Sequence, residues 1–470
     1  MALGLLFGLT GCGGANTRSV SAPPASRTNV VLIVVDTLRA DHLGCYGAER
    51  DTSPHLDALA RRGVRFEHAY SVAPWTMPSV ASVLTGLYPA GHGVSDPRQV
   101  LPAAAVTLAE HFAAQGYATG GVVSHKLIDS DHRYDQGFEV FDDSEARGHN
   151  HVSTPGVTAR ARELLAGWAG QERPFFLFVH YFDPHYSYRH HDGPDFAAER
   201  VGRLDGSQSI KTLRQMAEGL GADEQSFLID LYDEEIAFTD AGIGLLLADL
   251  ETLGLDDETV VAVTADHGEE FLERGWIGHV RTLYDELVHV PLIVRVAGGS
   301  AGRTVSEPVS LVSLAPTLLE LAGLDAAPEQ FQAPSLAPTV RAGIDPAPQA
   351  LLLAVDFDPI QASSEVKRTS KQGLVADGWK IVKDSLAGTL ELFDLSRDPR
   401  ESHDRSAEEP ERLRSMRNQL ERMLADLGRD SLPQDGAGLT LDAEGLEQLR
   451  ALGYVGDEDT TTDVSRDNDG

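Results

Sequence analysis

The amino-acid sequence predicts a doubly wound α/β fold: a mostly parallel sheet flanked by helices, with a smaller C-terminal α+β subdomain. Three observations carry this. Continuous Val/Ile/Leu runs recur along the chain, amphipathic helical patterns separate them, and two of the runs stop abruptly at an aspartate. Uninterrupted apolar runs suit parallel strands buried on both faces, because helices cover both sides of such a sheet. Strands that alternate with helices favour parallel pairing through crossovers.

The first run is NVVLIVVD, ending at Asp36. TSPHLDALARRG follows, with a capping Thr or Ser and a terminal Gly63, and reads as a helix. The stretch SVAPWTMPSVASVLTGLYP then runs from a loop into a small-residue helix, with Thr76 where that helix begins. VTLAEHFAAQG is a third helix, and TGGVVS (119–124) and PFFLFVHY (174–181) are strands. Polar, weakly periodic residues from about 185 to 225 read as loops over the site. A long amphipathic helix covers 223–254, and TVVAVTAD (259–266) and VPLIVRV (290–296) are further strands. Near residue 325 the composition turns Ala/Pro-rich. Beyond it, GLVADGWKIVKD and TLELFDLSRDP read as a small antiparallel sheet, and EEPERLRSMRNQLERMLADLG as a helix. The expected organisation is a leader over 1–11, a tether over 12–28, a catalytic domain over 29–340, a subdomain over 341–430, and a C-terminal segment over 431–470 with an acidic, disordered tail.

The first twelve residues, MALGLLFGLTGC, are apolar, too short to span a bilayer, and end in Cys12. That pattern fits a bacterial lipoprotein signal, although no Lys or Arg precedes the run. The Ser/Pro/Ala/Gly-rich run after Cys12 then serves as a flexible tether, which places the protein on the cell envelope, held to a membrane by a lipid. The other cysteine, Cys45, reads as a buried free thiol.

The formal net charge of the 470 residues is −33, which excludes nucleic acid as a partner, since phosphate backbones require a basic footprint. An anionic substrate therefore needs a locally positive site, and a bound metal ion supplies one. Asp36, Thr76, Asp266 and His267 together make a divalent-cation donor set of two carboxylates, a hydroxyl and an imidazole. Imidazole favours Zn²⁺ or Mn²⁺, with Ca²⁺ also admitted. Taken singly, each residue has a plainer use: Asp36 as a turn or helix cap, and Thr76 as an N-cap.

Taken in order, these segments resemble the sulfatase family of the alkaline phosphatase superfamily. NVVLIVVDTLRADHLGCYG is similar to the family's opening, and TSPHLDALARRGVRFEHAYSVAPWTMPSVASVLTGLYPAGHGV to its nucleophile segment. FVHYFDPHYSY resembles the passage presenting a substrate-binding His, DDETVVAVTADHGEEF the metal-binding strand end, and TLYDELVHVPLIV the segment after the active-site loop. ELFDLSRDPRE resembles the C-terminal hairpin, and LEQLRALGYV an ending common in bacterial members. The resemblance implies an alkaline-phosphatase-like sheet, with Asp36 and Asp266 as metal ligands, His267 beside them and Thr76 at the nucleophile position. It implies His185 and His279 as groups that hold or protonate substrate oxygens, and Arg281 and Lys126 as anion contacts. His180 reads as core and His289 as structural.

The departures from the family pattern carry information. Thr37 stands where a second Asp is usual, Val80 replaces an Arg, and VSHKL replaces GKWHL. Thr76 stands where Cys or Ser is oxidised to formylglycine, and threonine does not yield that aldehyde. The resemblance therefore favours a metal-dependent hydrolase of phosphate esters, phosphodiesters or phosphonates, attacking through Thr76. Direct attack of Thr76 on a sulfate ester, transfer of a phospho-headgroup, and a non-catalytic surface lipoprotein are the alternatives. The expected substrate is a small anionic ester or a glycan- or lipid-linked one.

Overall fold

The computed structural model describes residues 28–456, except 149–150, 192, 194, 298–301, 326–330, 364–366, 430, 434–437, 440 and 442. Cys12, the leader, nearly all of the tether and the acidic tail from 457 onward lie outside the described residues.

In chain order the main strands are β1 (Asn29–Val35), β2 (Val64–Tyr70), β3 (Ala118–Val122), β4 (Val140–Asp142), β5 (Phe175–Tyr181) and β6 (Thr259–Ala265). A short hairpin of β7 (Glu270–Phe271) and β8 (Ile277–Gly278) follows. Then come β9 (His289–Arg295), β10 (Arg303–Val305) and β11 (Val309–Ser310). The large sheet has the order β10-β2-β9-β6-β1-β5-β3-β4, with β11 also beside β2. β1 pairs in parallel with both β5 and β6, and every residue of these three strands is buried. Such burial is what their uninterrupted apolar composition requires.

The sheet is mostly parallel, as expected, with β9 running antiparallel to β6 and β2. One strand was not expected. β2, whose sequence is VRFEHAY, lacks the continuous apolar run of its neighbours because it is only partly buried, and its pairing shifts register between Phe66 and Ala69.

The expected helices form over Pro54–Arg61, Leu108–Ala114, Ala222–Thr252 and Pro410–Arg429. Thr107 caps the second of these with a reciprocal Glu110 bond. No helix among the described residues is long and apolar enough to cross a membrane.

The second sheet is antiparallel: β12 (Leu351–Phe357), β13 (Thr369–Ala376), β14 (Trp379–Asp384) and β15 (Thr389–Asp394), in that order. It docks where the site is built. The Ala354 N–H donates to the Val72 carbonyl at 2.8 Å, and Phe357 packs edge-on against Trp75 at 5.5 Å. Lys380 on β14 is fully buried and bridges Asp285 at 2.9 Å and Glu401 at 2.7 Å.

A buried cation between two carboxylates is costly to break from one side. Lys380→Met is expected to cost about 3–5 kcal/mol, read as a lower urea unfolding midpoint. Adding Asp285→Asn and Glu401→Gln to it is expected to restore most of that loss, because no buried charge is then left unpaired.

Candidate active site

The carboxyl ends of β1, β3, β5 and β6 lie on one edge of the sheet, where open α/β sheets bind ligands. Asp36 and Asp266 each follow the last residue of a central strand, and Val35 and Ala265 are paired in the register. Side chains alternate along a strand, so two consecutive residues reach one point only if the backbone bends. Asp266 and His267 do so just past the end of β6, where strand alternation has stopped; opposite them Thr37 adopts φ 54°, and its N–H points to Asp266 Oδ1 at 3.3 Å. The His267 N–H donates to the same oxygen at 2.9 Å.

Thr76 is the first residue of a helix running to Thr85, and Trp75 occupies the cap position without a side-chain cap bond. Thr76 is therefore not a cap. Its Oγ1 lies 3.3 Å from His267 Nε2. Three bonds hold this arrangement. Ser79 donates to the Asp266 carbonyl at 2.6 Å, the Ser71 N–H donates to the Val288 carbonyl at 2.8 Å, and the Val280 N–H donates to the Pro74 carbonyl at 3.0 Å. The last of these ties the loop carrying His279 to the loop carrying Thr76.

Asp36, Asp266 and His267 bring ligand atoms within 4.8 Å of one another. All three side chains are completely buried. Neither oxygen of Asp36, nor Oδ2 of Asp266, has a hydrogen-bond partner among the described residues. Buried carboxylates without donors are costly, and a cation removes that cost. Burial, reinforced by Asp266, Glu269 and Asp183, raises the Asp36 carboxyl well above its ordinary range. Burial also pushes Asp266 upward, but His267 and His180 outweigh it and leave Asp266 below its ordinary value. The donor set thus fits a divalent ion.

Hydrogen bonds on one ring nitrogen of each histidine set what the other presents. His267 Nδ1–H donates to the Gly268 carbonyl at 2.9 Å, which leaves the Nε2 lone pair facing Asp36, Asp266 and Thr76. His185 Nδ1–H donates to the Tyr186 carbonyl at 3.0 Å, and His279 Nδ1–H to Glu269 Oε1 at 2.9 Å. His125 is the reverse. Its Nδ1 accepts the Leu127 N–H at 3.0 Å, so the neutral ring carries its hydrogen on Nε2, 3.9 Å from Asp36 Oδ2. Asp36, His125 and His185 form a second group within 4.8 Å, but an N–H at His125 suits an anion's oxygen better than a cation.

Of the residues expected from the sequence, the structure brings Asp36, Thr76, Asp266, His267, His185 and His279 together. The His185 and His279 rings lie 5.0 Å apart, and the His267 and His279 rings 4.4 Å. Lys126 is a correction: its amine pairs with Asp129 at 2.5 Å and Asp131 at 2.9 Å, and its neighbour His125 enters the cage instead. Arg281 is a second correction. Its guanidinium stacks 3.9 Å over Trp276 and lines a separate cleft with Lys367 and Arg368. His180 is core, as expected, yet its Nε2 also faces Asp36 at 4.0 Å and Asp266 at 3.9 Å. His289 donates to the Glu67 carbonyl at 2.8 Å.

Four site residues escape the sequence reading. His125 stands immediately after an expected strand, the position that exposed Asp36, and that rule applied again would have found it. Glu269, pushed up to about 7 chiefly by burial, orients His279. Tyr188, in the segment expected to loop over the site, donates to Glu269 at 3.0 Å. Tyr454 meets His279 Nε2 at 3.0 Å; it lies within LEQLRALGYV, a stretch that carries the family resemblance, but that pattern gives it no role.

The sequence model of the family described as Sulfatase matches residues 28–324. The chain belongs to the sulfatase family. A second model, described as N-sulphoglucosamine sulphohydrolase, C-terminal, matches 272–430. An ulvan-active sulfatase of Formosa agariphila is 27% identical, with 69% of this chain and 67% of that protein covered. Human arylsulfatase A is 31% identical, with 65% of each covered. This sulfatase-family chain thus spans about two thirds of the length of these relatives. Among solved structures, a 2-O GAG sulfatase superposes with a TM-score of 0.71 at 21% identity, covering 87% of this chain and 95% of its own. The phosphonate monoester hydrolase of Agrobacterium radiobacter superposes with a TM-score of 0.68 at 22% identity, covering 85% and 96%. The protein is a hydrolase of this family, acting on ester bonds, and members of the family use a divalent metal.

Asp36→Asn removes a carboxyl whose charged form burial and the neighbouring carboxylates disfavour. It is expected to raise the thermal midpoint of the metal-free protein. In the native protein Mn²⁺ at one hundred times its Kd is expected to add about 2.7 kcal/mol, reversed by a chelator, and this gain is expected to vanish in the variant.

Proposed function

We propose that this chain hydrolyses a phosphate ester, phosphodiester or phosphonate by nucleophilic attack of Thr76. The observation that carries the reading is the Thr76 hydroxyl, freed from capping and aimed at His267 Nε2 beside two hydrogen-bond-deficient carboxylates. Oxidising the secondary alcohol of threonine gives a ketone and not the aldehyde of formylglycine, so the hydroxyl itself is the available nucleophile.

Asp36, Asp266, His267 and Thr76 would hold the ion, with Zn²⁺ or Mn²⁺ preferred because one ligand is an imidazole. Bound there, a divalent ion lowers the pKa of a ligating hydroxyl and offsets the substrate's charge. Thr76 Oγ1 then forms a bond to phosphorus as the bond to the leaving oxygen breaks, and the hydroxyl's proton passes by way of the His185 or His279 imidazole to that leaving oxygen. Partial positive charge at the helix start favours the incoming anion, and His125 Nε2–H is placed to donate to a non-bridging oxygen. His279, its Nδ1–H held by Glu269, offers Nε2 to take a proton from the water that hydrolyses the Thr76 ester. Two observations favour a second reading, in which Thr76 attacks a sulfate ester: the curated relatives are named as sulfatases, one of them as N-acetylglucosamine-6-O-sulfatase. A glycan-linked substrate fits that reading. Lipid anchoring through Cys12 completes the proposal and places the enzyme at a bacterial membrane surface.

The test loads the purified protein with Mn²⁺ or Zn²⁺ and assays aryl phosphate, bis-aryl phosphate, aryl phosphonate and aryl sulfate. Thr76→Ala is expected to lose about 10³-fold or more in kcat, with Thr76→Ser retaining part of the rate. Undiminished turnover by Thr76→Ala overturns the nucleophile assignment, and turnover of the sulfate alone overturns the phosphoryl preference. For the anchor, Cys12→Ala is expected to move the protein from the membrane to the soluble fraction of expressing cells.

A further inference from the structure

The segment after residue 442 lies beyond both regions matched by the family's sequence models, which end at 324 and 430. It is nevertheless built into the active site. A helix over Ala443–Ala451 leads into a turn at Gly453, whose φ of +74° reverses the chain. Leu449, Leu452 and Val455 are buried on either side of that turn. The Gly456 N–H donates to the Gln361 carbonyl at 2.7 Å, and Arg450 donates to the Gln361 side chain at 3.1 Å. The Tyr454 ring is clamped by Trp75 at 5.9 Å and Phe357 at 6.1 Å, and Trp75 is the residue just before the nucleophile. The clamp leaves the phenolic oxygen pointing into the cage, 3.0 Å from His279 Nε2 and within interaction range of the Thr76 hydroxyl.

The direction of this hydrogen bond is set. His279 gives its Nδ1–H to Glu269, so its Nε2 accepts and Tyr454 donates. A rigid aromatic clamp and an aimed donor are the marks of a positioned ligand contact.

We propose that Tyr454 is a substrate-binding residue of the active site, donating its O–H to an oxygen of the ester group that Thr76 attacks. An anionic oxygen is a stronger acceptor than imidazole, so the hydroxyl exchanges His279 for the substrate when the anion enters. Thr76 and His279 are at most 2% exposed, and the segment from 443 to 456 reaches them through Tyr454.

The proposal rests on the ester-hydrolase reading for its substrate, but its test does not need turnover. Inorganic phosphate and sulfate are titrated by calorimetry into the full-length, Mn²⁺-loaded protein and into Tyr454→Phe, which keeps the clamped ring and loses the hydroxyl. Losing one hydrogen bond to a charged oxygen is expected to weaken binding of at least one oxyanion about tenfold or more, with metal affinity and thermal midpoint unchanged. Equal affinity in Tyr454→Phe overturns the proposal. So does tighter binding, because the hydroxyl would then be competing with the anion, and so does the absence of oxyanion binding by the native protein. Binding that weakens in Tyr454→Phe while no ester is turned over upholds the contact and defeats the hydrolase reading instead.

Discussion

The structure turns on two carboxylates held side by side in a buried place. Asp36 and Asp266 cap adjacent strands whose register sets Val35 opposite Ala265, so the sheet itself forces them together. Three of their four oxygens have no hydrogen-bond donor among the described residues. Two unsolvated negative charges at this range repel strongly, and the arrangement is stable only with a proton or a cation between them. The surrounding residues follow from that requirement. His267 turns its lone pair inward, Thr76 brings a hydroxyl, and His180 stands behind both carboxylates.

The second sheet does more than extend the fold. β12 bonds to the loop before the nucleophile at Val72, and Phe357 at its end packs on Trp75. Lys380 on β14 fastens the same sheet to Asp285, at the start of the helical turn that leads into β9. The position of Thr76 therefore depends on contacts about 280 residues away in sequence, as well as on Ser79 and Pro74 nearby. The small-residue helix from Thr76 to Thr85 is completely buried because other helical segments, Pro89–His92, Leu108–Ala114 and Leu314–Leu321, pack around it.

Much of this was legible along the chain. Buried parallel strands advertise themselves by composition, so β1, β5 and β6 and the aspartates at their ends were visible. The antiparallel course of β9 was not, because an apolar run carries no direction. Lys126 and His125 show a second limit. They are neighbours on one turn, and the charged residue looked like the anion contact. The backbone instead sends Lys126 outward to Asp129 and Asp131 and turns the His125 ring toward Asp36. Arg281 failed for the same reason: Val280 bonds inward to Pro74, and the next side chain leaves for Trp276.

By itself the sequence determined the fold class and the family resemblance, and through that resemblance the expectation that Asp36, Thr76, Asp266 and His267 share a site. Periodicity sets the strands by a local rule, whereas each of these four residues taken singly has a plainer use and only the ordered set of segments points to one site. Tertiary structure alone decided that Thr76 is not a cap, which nitrogen each histidine presents, and that Glu269 and Tyr454 belong to the site. Those facts depend on hydrogen bonds between residues far apart in the chain, such as His279 to Tyr454 across 175 positions, and no local pattern encodes a partner that distant.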